Sequence, residues 1–340
     1  MAKTGTNNLI TDIPGISVGN AENAGARTGV TVILPNDRVV AAYDVRGGGP
    51  GTIETDALNP QNLVERIDAI VLSGGSALGL RAASGVQDWL REHNRGFPIG
   101  PEDAPFERIP IIPGAILFDL LNGGDKNWGN DSPYPALGRM ACEAAASNFK
   151  LGSTGAGFGA TTLNLKGGLG SASEMTECGF LVGALAAVNA VGSATMGDGH
   201  HFWAADFEIG TEFGSHGNPK ELPENARAFR HKARPHENTT LAVVATDADL
   251  TPTQAQRVAI MAHDGMARAL HPVHTPYDGD IVFCLATGKV PVTNPPEDIA
   301  AIGTSAAHAV ARSIARGVYE ATSFGDGTWP SWQDSFGKNI

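Results

Sequence analysis

Arg234-Pro235-His236-Glu237-Asn238-Thr239-Thr240-Leu241-Ala242-Val243-Val244-Ala245-Thr246 decides how the rest of the chain is read. A charged segment stops at Asn238, and a β-branched and aliphatic run begins at Thr239. That run has the length and composition of a strand buried on both faces. A threonine at the first position of such a strand suits a nucleophile that becomes N-terminal. Its hydroxyl can attack the Asn238 carbonyl and shift the acyl group from nitrogen to oxygen. Hydrolysis of the ester then cuts the chain and frees the Thr239 α-amine beside its own hydroxyl. With a reference pKa of about 7.7–8.0, that amine can serve as the general base for the hydroxyl. Thr holds its oxygen in few rotamers, and Asn tolerates strained backbone better than most residues. The plainer reading of Asn238-Thr239 is the end of a loop at a strand start.

Outward from this junction, 214–238 reads as an exposed linker carrying Lys220, Glu221, Glu224, Arg227, Arg230, Lys232 and Arg234. The wider stretch from Gly197 to Glu237 is the least core-like in the chain. It contains His200-His201 beside Asp198, which can be read as a metal site or as ordinary loop histidines. Downstream, Thr251 and Pro252 open a helix as N-cap and first residue. Tyr277-Asp278-Gly279-Asp280 leads into the strand Ile281–Ala286. Asp-Gly is turn chemistry, yet two carboxylates one glycine apart at a strand mouth can also hold an ammonium and a hydroxyl in register. Pro296 to Ala321 reads as a long helix, and 323–340 as an aperiodic tail containing Trp329 and Trp332.

Upstream, Thr28–Leu34 and Val39–Val45 read as strands, with Pro35-Asn-Asp-Arg38 as hairpin chemistry between them. Arg46-Gly-Gly-Gly-Pro-Gly51 is a glycine-rich loop, either a tight connection or backbone N–H groups lining a site. It lacks the terminal Gly-Lys-Ser/Thr of a phosphate loop. Leu72-Ser-Gly-Gly-Ser76-Ala-Leu-Gly79 is a strand-to-helix turn that misses the nucleophile-elbow template, which needs Gly where Leu78 stands. Ile109–Phe118 reads as an apolar strand and Leu137–Ser147 as a helix. Lys166 stands alone among small and apolar residues, so it is either snorkelling or functional. The strand-like run Phe180–Gly192 is interrupted by one amide, Asn189, which can pair with backbone or donate to an oxyanion.

The 340 residues are 42% hydrophobic, enough for a sizeable core, and carry a net charge of −12, which argues against a nucleic-acid surface. No apolar run approaches the roughly 18–20 residues of a membrane span, and the N-terminus lacks a signal-peptide core. Cys142, Cys178 and Cys284 are scattered, read as reduced thiols, and point to the cytoplasm with no metal spacing.

Taken together, Val45–Asp56, Leu72–Leu80, Gly155-Ala-Gly157 with Lys166-Gly-Gly168, Asn238-Thr239-Thr240 and Asp278-Gly-Asp280 resemble one family. It is the DmpA-like peptidases, the L-aminopeptidase/D-amidase-esterase group, which also includes β-peptidyl aminopeptidases, a nylon-oligomer hydrolase and a pantetheine hydrolase. The resemblance spans about residue 8 to about 320 and implies an α/β fold: an αββα layered sandwich of the DmpA/ornithine acetyltransferase kind, related to N-terminal nucleophile hydrolases. It implies one domain, 1–340, self-cleaved into an α chain, 1–238, and a β chain, 239–340.

Residue by residue, Thr239 matches the nucleophile and Asn189 the oxyanion amide. Lys166 matches a lysine beside the nucleophile, and Asp278 and Asp280 look like the carboxylate pair of the nylon-hydrolase branch. Gly155 and Gly157 fall in a stretch that the resemblance makes substrate-binding. Phe118 falls where some members carry a substrate-positioning Tyr, so a hydroxyl is missing there. The implied enzyme cleaves amides or esters of small peptides or amide oligomers through acyl-Thr239, with no cofactor and no metal, as a cytoplasmic homo-oligomer, a tetramer. Trp329 and Trp332 then either anchor subunits or pack against the long helix. Three alternatives stay open: an acyltransferase of the ornithine acetyltransferase kind, an unprocessed hydrolase using Ser76, and a non-catalytic scaffold.

Overall fold

The computed structural model describes residues 3–101, 106–230, 232 and 238–337. The expected segment Arg234 to Glu237 lies outside them. In chain order the strands are β1 (Ile16–Asn23), β2 (Thr28–Pro35), β3 (Val39–Val45), β4 (Thr52–Ile53), β5 (Arg66–Ile67), β6 (Ile70–Ser73), β7 (Phe97–Ile99), β8 (Glu107–Ile109), β9 (Gly114–Ile116), β10 (Leu169–Met175), β11 (Leu181–Asn189), β12 (Thr239–Ala248) and β13 (Ile281–Val290). The helices are α1 (Ala82–Glu92), α2 (Tyr134–Glu143), α3 (Pro252–Ala269), α4 (Pro295–Tyr319) and α5 (Trp332–Phe336).

Every residue of β12 is buried, because the strand has hydrophobic company on both sides. Side chains of a strand alternate between faces. Leu241, Val243 and Ala245 therefore join Ile33, Ile70 and Leu72 between two sheets. Ala242, Val244 and Ala248 instead meet Val258, Met266, Val310 and Ile314 of α3 and α4. One sheet runs β10-β11-β12-β13-β3-β5 and the other β1-β2-β6-β9-β4. The far side of the second sheet, with Val30, Val32 and Val71, is covered by Val86, Leu90, Leu137 and Ala141 of α1 and α2. The layers are helices, sheet, sheet, helices: the αββα sandwich.

Most of the six-stranded sheet is antiparallel, but β12 and β13 are parallel, Leu241 opposite Ile281. A parallel pair needs a crossover, and α3 supplies it. The helix starts where expected: the Thr251 hydroxyl accepts from Gln254 N (3.4 Å), and the Gln254 side chain accepts from Thr251 N (2.8 Å), a reciprocal cap. Helices α3 and α4 approach closely at Gly265, where an added Cβ would lie 2.1 Å from the Ala307 carbonyl oxygen.

Some expectations are corrected. β2 and β3 are not a hairpin: β2 pairs with β1 and β6, whereas β3 pairs with β13 and β5, so residues 36–38 carry the chain from one sheet to the other. The expected strand Ile109–Phe118 shortens to Gly114–Ile116, because Pro110 and Pro113 lack ladder donors. The helix expected at Leu137–Ser147 begins at Tyr134 and ends at Glu143. The stretch after Gly197 contributes to the core through Phe202 and Phe213. Its Glu212 pairs with the fully buried Arg312, whose Nε donates at 2.9 Å. Trp332 is buried in its own chain, stacked on Phe202 and His216, with Nε1 donating to the His200 carbonyl (3.0 Å). Cys142 and Cys284 are buried, but Cys178 is exposed. Among the described residues no helix is long and apolar enough to cross a membrane.

Candidate active site at the start of the central strand

Three elements deliver polar groups to one spot because of register. β11 ends at Asn189, directly opposite Thr239, the first residue of β12. On the other flank Asn238 bridges Asp278, just before β13 begins at Ile281. A buried apolar sheet thus terminates in Asn189, Thr239, Asp278 and Asp280, each at most 3% exposed.

The Asn238–Thr239 bond lies in the middle. Thr239 Oγ1 donates to the Asn238 carbonyl oxygen at 2.5 Å. The same oxygen accepts the Gly279 N–H at 3.0 Å. Two donors on one carbonyl polarise it, and the hydroxyl that would attack the carbon is one of them. Gly279 is glycine for want of space: an added Cβ would lie 2.6 Å from Thr239 Oγ1 and 2.9 Å from the Gly49 carbonyl oxygen. The Asn238 side chain is buried, with neither polar atom hydrogen-bonded among the described residues.

The two aspartates hold different groups. Asp280 Oδ1 accepts Thr240 N (2.7 Å), and its Oδ2 accepts His274 N (3.1 Å) and Nδ1 (2.8 Å). Asp278 accepts from Val191 N (3.2 Å), Thr275 N (2.9 Å) and Thr275 Oγ1 (2.7 Å). Burial, then the neighbouring Asp280 charge, push the Asp278 carboxyl up to about 6, against the pull of those donors. The glycine-rich loop backs this turn. Gly47 N, Gly48 N and Gly49 N donate to the carbonyls of Asp280 (3.2 Å), Thr275 (3.2 Å) and Asp278 (2.8 Å), so these N–H groups brace protein.

Asn189 is fixed at both ends of its amide. Its Oδ1 accepts Thr161 N (2.9 Å), and its Nδ2 donates to the Phe118 carbonyl (3.0 Å). Phe118 therefore contributes its backbone, which the aromatic side chain in the sequence does not announce. From the linker, Lys232 Nζ reaches the Thr161 carbonyl (2.6 Å) and Asn189 Oδ1 (3.5 Å).

Lys166 is fully buried and spends its ammonium on the carbonyls of Phe158 (2.7 Å), Ala160 (2.8 Å) and Gly167 (3.4 Å). No hydrogen bond joins it to Thr239 among the described residues. It ties down the loop whose next residue, Thr161, orients Asn189. Burial drags its pKa to about 7, with the Asp119 charge pulling upward. The tail closes over it: the Phe324 ring centre is 5.0 Å from Nζ, and Lys166 N donates to the Pro330 carbonyl (2.8 Å). Gly155 and Gly157 are packing positions, where a Cβ would lie 2.2 Å from Asn20 Oδ1 and 2.1 Å from Leu169 N respectively.

Ser76 follows β6 on left-handed backbone (φ 52°), and among the described residues its hydroxyl makes no hydrogen bond. At this turn Asp119 accepts the Gly75 N–H (2.8 Å). Sequence reading missed Gly279, Thr161, His274 and Thr275. The Asp278-Gly-Asp280 turn was the available signal for Gly279, whereas Thr161 and His274 join the site only through tertiary contacts.

The family model for peptidase family S58 matches residues 8–328. An uncharacterised aminopeptidase of Mycobacterium tuberculosis is 42% identical, with 97% of this chain and 98% of that one covered. The 6-aminohexanoate-oligomer endohydrolase of Paenarthrobacter ureafaciens is 27% identical over 86% of this chain and 79% of that one. Among solved structures, a Burkholderia β-aminopeptidase superposes with a TM-score of 0.70 at 23% identity, covering 98% and 93% of the two chains. The L-aminopeptidase D-Ala-esterase/amidase of Ochrobactrum anthropi, described as a variant of the Ntn-hydrolase fold, gives 0.64 at 20% identity over 94% and 88%. Fold, matched span and close relatives agree: the chain belongs to peptidase family S58 and is a hydrolytic enzyme acting on peptide or amide bonds.

Proposed function

We propose that this enzyme activates itself by cutting Asn238–Thr239 and then hydrolyses amides of small peptides or amide oligomers with the freed Thr239. The observation that carries this reading is the pair of donors, Thr239 Oγ1 and Gly279 N–H, on the Asn238 carbonyl oxygen. In self-cleavage Thr239 Oγ1 adds to the Asn238 carbonyl carbon. The oxygen gains negative charge against the Gly279 N–H, the C–N bond breaks, and the hydroxyl proton passes to the Thr239 nitrogen. Water then hydrolyses the ester, leaving Asn238 with a carboxylate and Thr239 with a free amine. In turnover that amine takes the Oγ1 proton while Oγ1 attacks the substrate carbonyl. The leaving amine is protonated, and water releases the acyl group.

Asp280 holds the strand start through Thr240 N, and Asp278 offers a carboxyl that is protonated below about pH 6. Asn189 stands opposite Thr239 as the amide donor for the substrate oxyanion, and Lys166 holds the loop that orients it. Removing one oxyanion donor costs about 10²–10³ in rate. Similarity to a 6-aminohexanoate-oligomer endohydrolase and to aminopeptidases supports short amide chains as the substrate class. The mature protein is a homo-oligomer, for which the exposed apolar residues Phe97, Phe106 and Ile109 offer a surface.

Intact mass spectrometry of purified protein tests the first step, with a fragment beginning at Thr239 expected and Thr239→Ala remaining full length. A wild-type chain that stays whole after long incubation at neutral pH, yet hydrolyses aminoacyl anilides, would overturn it.

A further inference from the structure

We propose that His274 is the positioning residue for the nucleophile strand: it grips one oxygen of Asp280, so that the other is held on the first backbone N–H after Thr239. The inference rests on the reading above, in which Thr239 is the nucleophile.

Asp280 is 1% exposed, and its carboxylate has three donors. One, Thr240 N, comes from the strand itself at 2.7 Å on Oδ1. The other two both come from His274: its backbone N at 3.1 Å and its ring Nδ1 at 2.8 Å, both on Oδ2. One residue therefore satisfies a whole carboxylate oxygen. A carboxylate only accepts, so the ring hydrogen must sit on Nδ1. His274 presents these groups because its backbone is left-handed, φ 54°. Gly adopts that conformation freely, and Asn, Asp and His adopt it more often than other side chains.

The setting behind His274 leaves it alone in this task. The ring meets His263 of α3 edge-on, 4.9 Å between centroids. His263 Nε2 lies 2.9 Å from the Asp44 carbonyl, so its hydrogen is spent there, and burial holds its pKa down to about 4. His263 is then neutral at pH 7 and adds no cation beside Asp280. Neither His263 Nδ1 nor His274 Nε2 has a partner among the described residues. Without the Nδ1 donor, a buried carboxylate oxygen keeps a single hydrogen bond, and the group gains by rotating. Rotation releases Thr240 N and with it the register of Thr239 against Asn189 and Gly279.

Three variants separate a positioning role from a structural one: H274G, H274N and D280N. For each, the half-time of self-cleavage, the rate of amide hydrolysis and the melting temperature are measured on one preparation. H274G suits the backbone but lacks the ring donor. It is expected to slow cleavage and turnover together by ten- to a hundredfold, with the melt within a few degrees of wild type. H274N keeps the left-handed backbone and places an amide N–H where Nδ1–H was, and is expected to rescue most of that loss. Hydrogen exchange at the Thr240 amide, followed in the uncleavable Thr239→Ala background, should be at least tenfold faster in H274G than in H274N. A folded H274N as slow as H274G overturns the proposal, as does H274G at wild-type rate while D280N is slow. If H274G melts below the assay temperature, H274N decides alone, with loss of cleavage in the folded variant counting against the proposal. Wild-type rates in D280N instead overturn the role given to Asp280 in the proposed mechanism.

Discussion

At position 279 there is room for a hydrogen and nothing more, since a methyl would press on Thr239 Oγ1 from 2.6 Å. Gly279→Ala keeps the N–H that faces the Asn238 carbonyl but must push the hydroxyl or the turn aside. Self-cleavage is expected to slow by a factor on the order of 10², the cost of a misplaced reacting group, as timed by intact mass. Asp278 makes a second prediction at this scale, about pH. Its folded-state pKa, about 6, lies above the ordinary 3.8 because burial and Asp280 disfavour its charge. A raised pKa favours the folded state when the group is protonated. That contribution is therefore complete below about pH 4 and lost as pH rises through about 6. Melts of the Thr239→Ala precursor should fall across this window by the equivalent of about 2–3 kcal/mol and flatten above it. Asp278→Asn, which cannot ionise, should make the slope shallower, leaving the part that Asp119, Asp68, Glu54 and Asp247, also raised by burial, contribute. A slope unchanged in Asp278→Asn would assign the titration to another group.

At the scale of elements, the close approach of α3 to α4 is the feature most exposed to a small change. Gly265→Ala would drive a Cβ to within 2.1 Å of the Ala307 carbonyl. Overpacking of this kind costs about 1–3 kcal/mol, and a thermal melt should show it while cleavage of the folded protein continues. Elements with strong local signals were legible in the sequence. β12 declares itself by an unbroken apolar run, α3 by Thr251 and Pro252 at its start, and α4 by the apolar stripe of Ile299, Ile302, Ala306, Val310, Ile314 and Val318. What local signals could not give was partnership. Pro35 to Arg38 has hairpin chemistry, yet its two strands belong to different sheets, a choice made by long-range pairing to β6 and β13. The site divides the same way. Thr239, Asn189, Asp278 and Asp280 could be named because a polar group beside or within an apolar run is visible in one dimension, and because their stretches resemble the family. The Thr161, Phe118 and His274 contacts could not, because they depend on which loop folds over which strand. Lys166 was named, but its partners, the carbonyls at 158, 160 and 167, carry no sequence signature.

On the scale of the molecule, the tail is part of the structure it closes. Trp332 fills a pocket formed by Phe202, His216 and Tyr319, and Pro330 and Phe324 lie over Lys166. Trp332→Ala should cost about 3–5 kcal/mol, as large buried aromatic truncations do. The mass seen by light scattering should stay that of the wild type, because this side chain faces inward. A mass below the wild-type value in a folded Trp332→Ala would return the residue to a subunit interface. The position of the proposed cut, between Asn238 and Thr239, has a consequence of its own. Residues 239–340 supply β12 and β13 in the middle of one sheet and the whole helical layer of α3 and α4, so neither piece retains a complete core. Before the cut, folding is a first-order event within one chain. After it, a denatured enzyme must reassemble by collision, at a rate that depends on concentration, and dilution alone keeps the halves apart. Such a cut would arm the enzyme and make its folding a one-time event, so heat-inactivated mature protein should regain activity far less readily than heat-denatured Thr239→Ala precursor regains its fold.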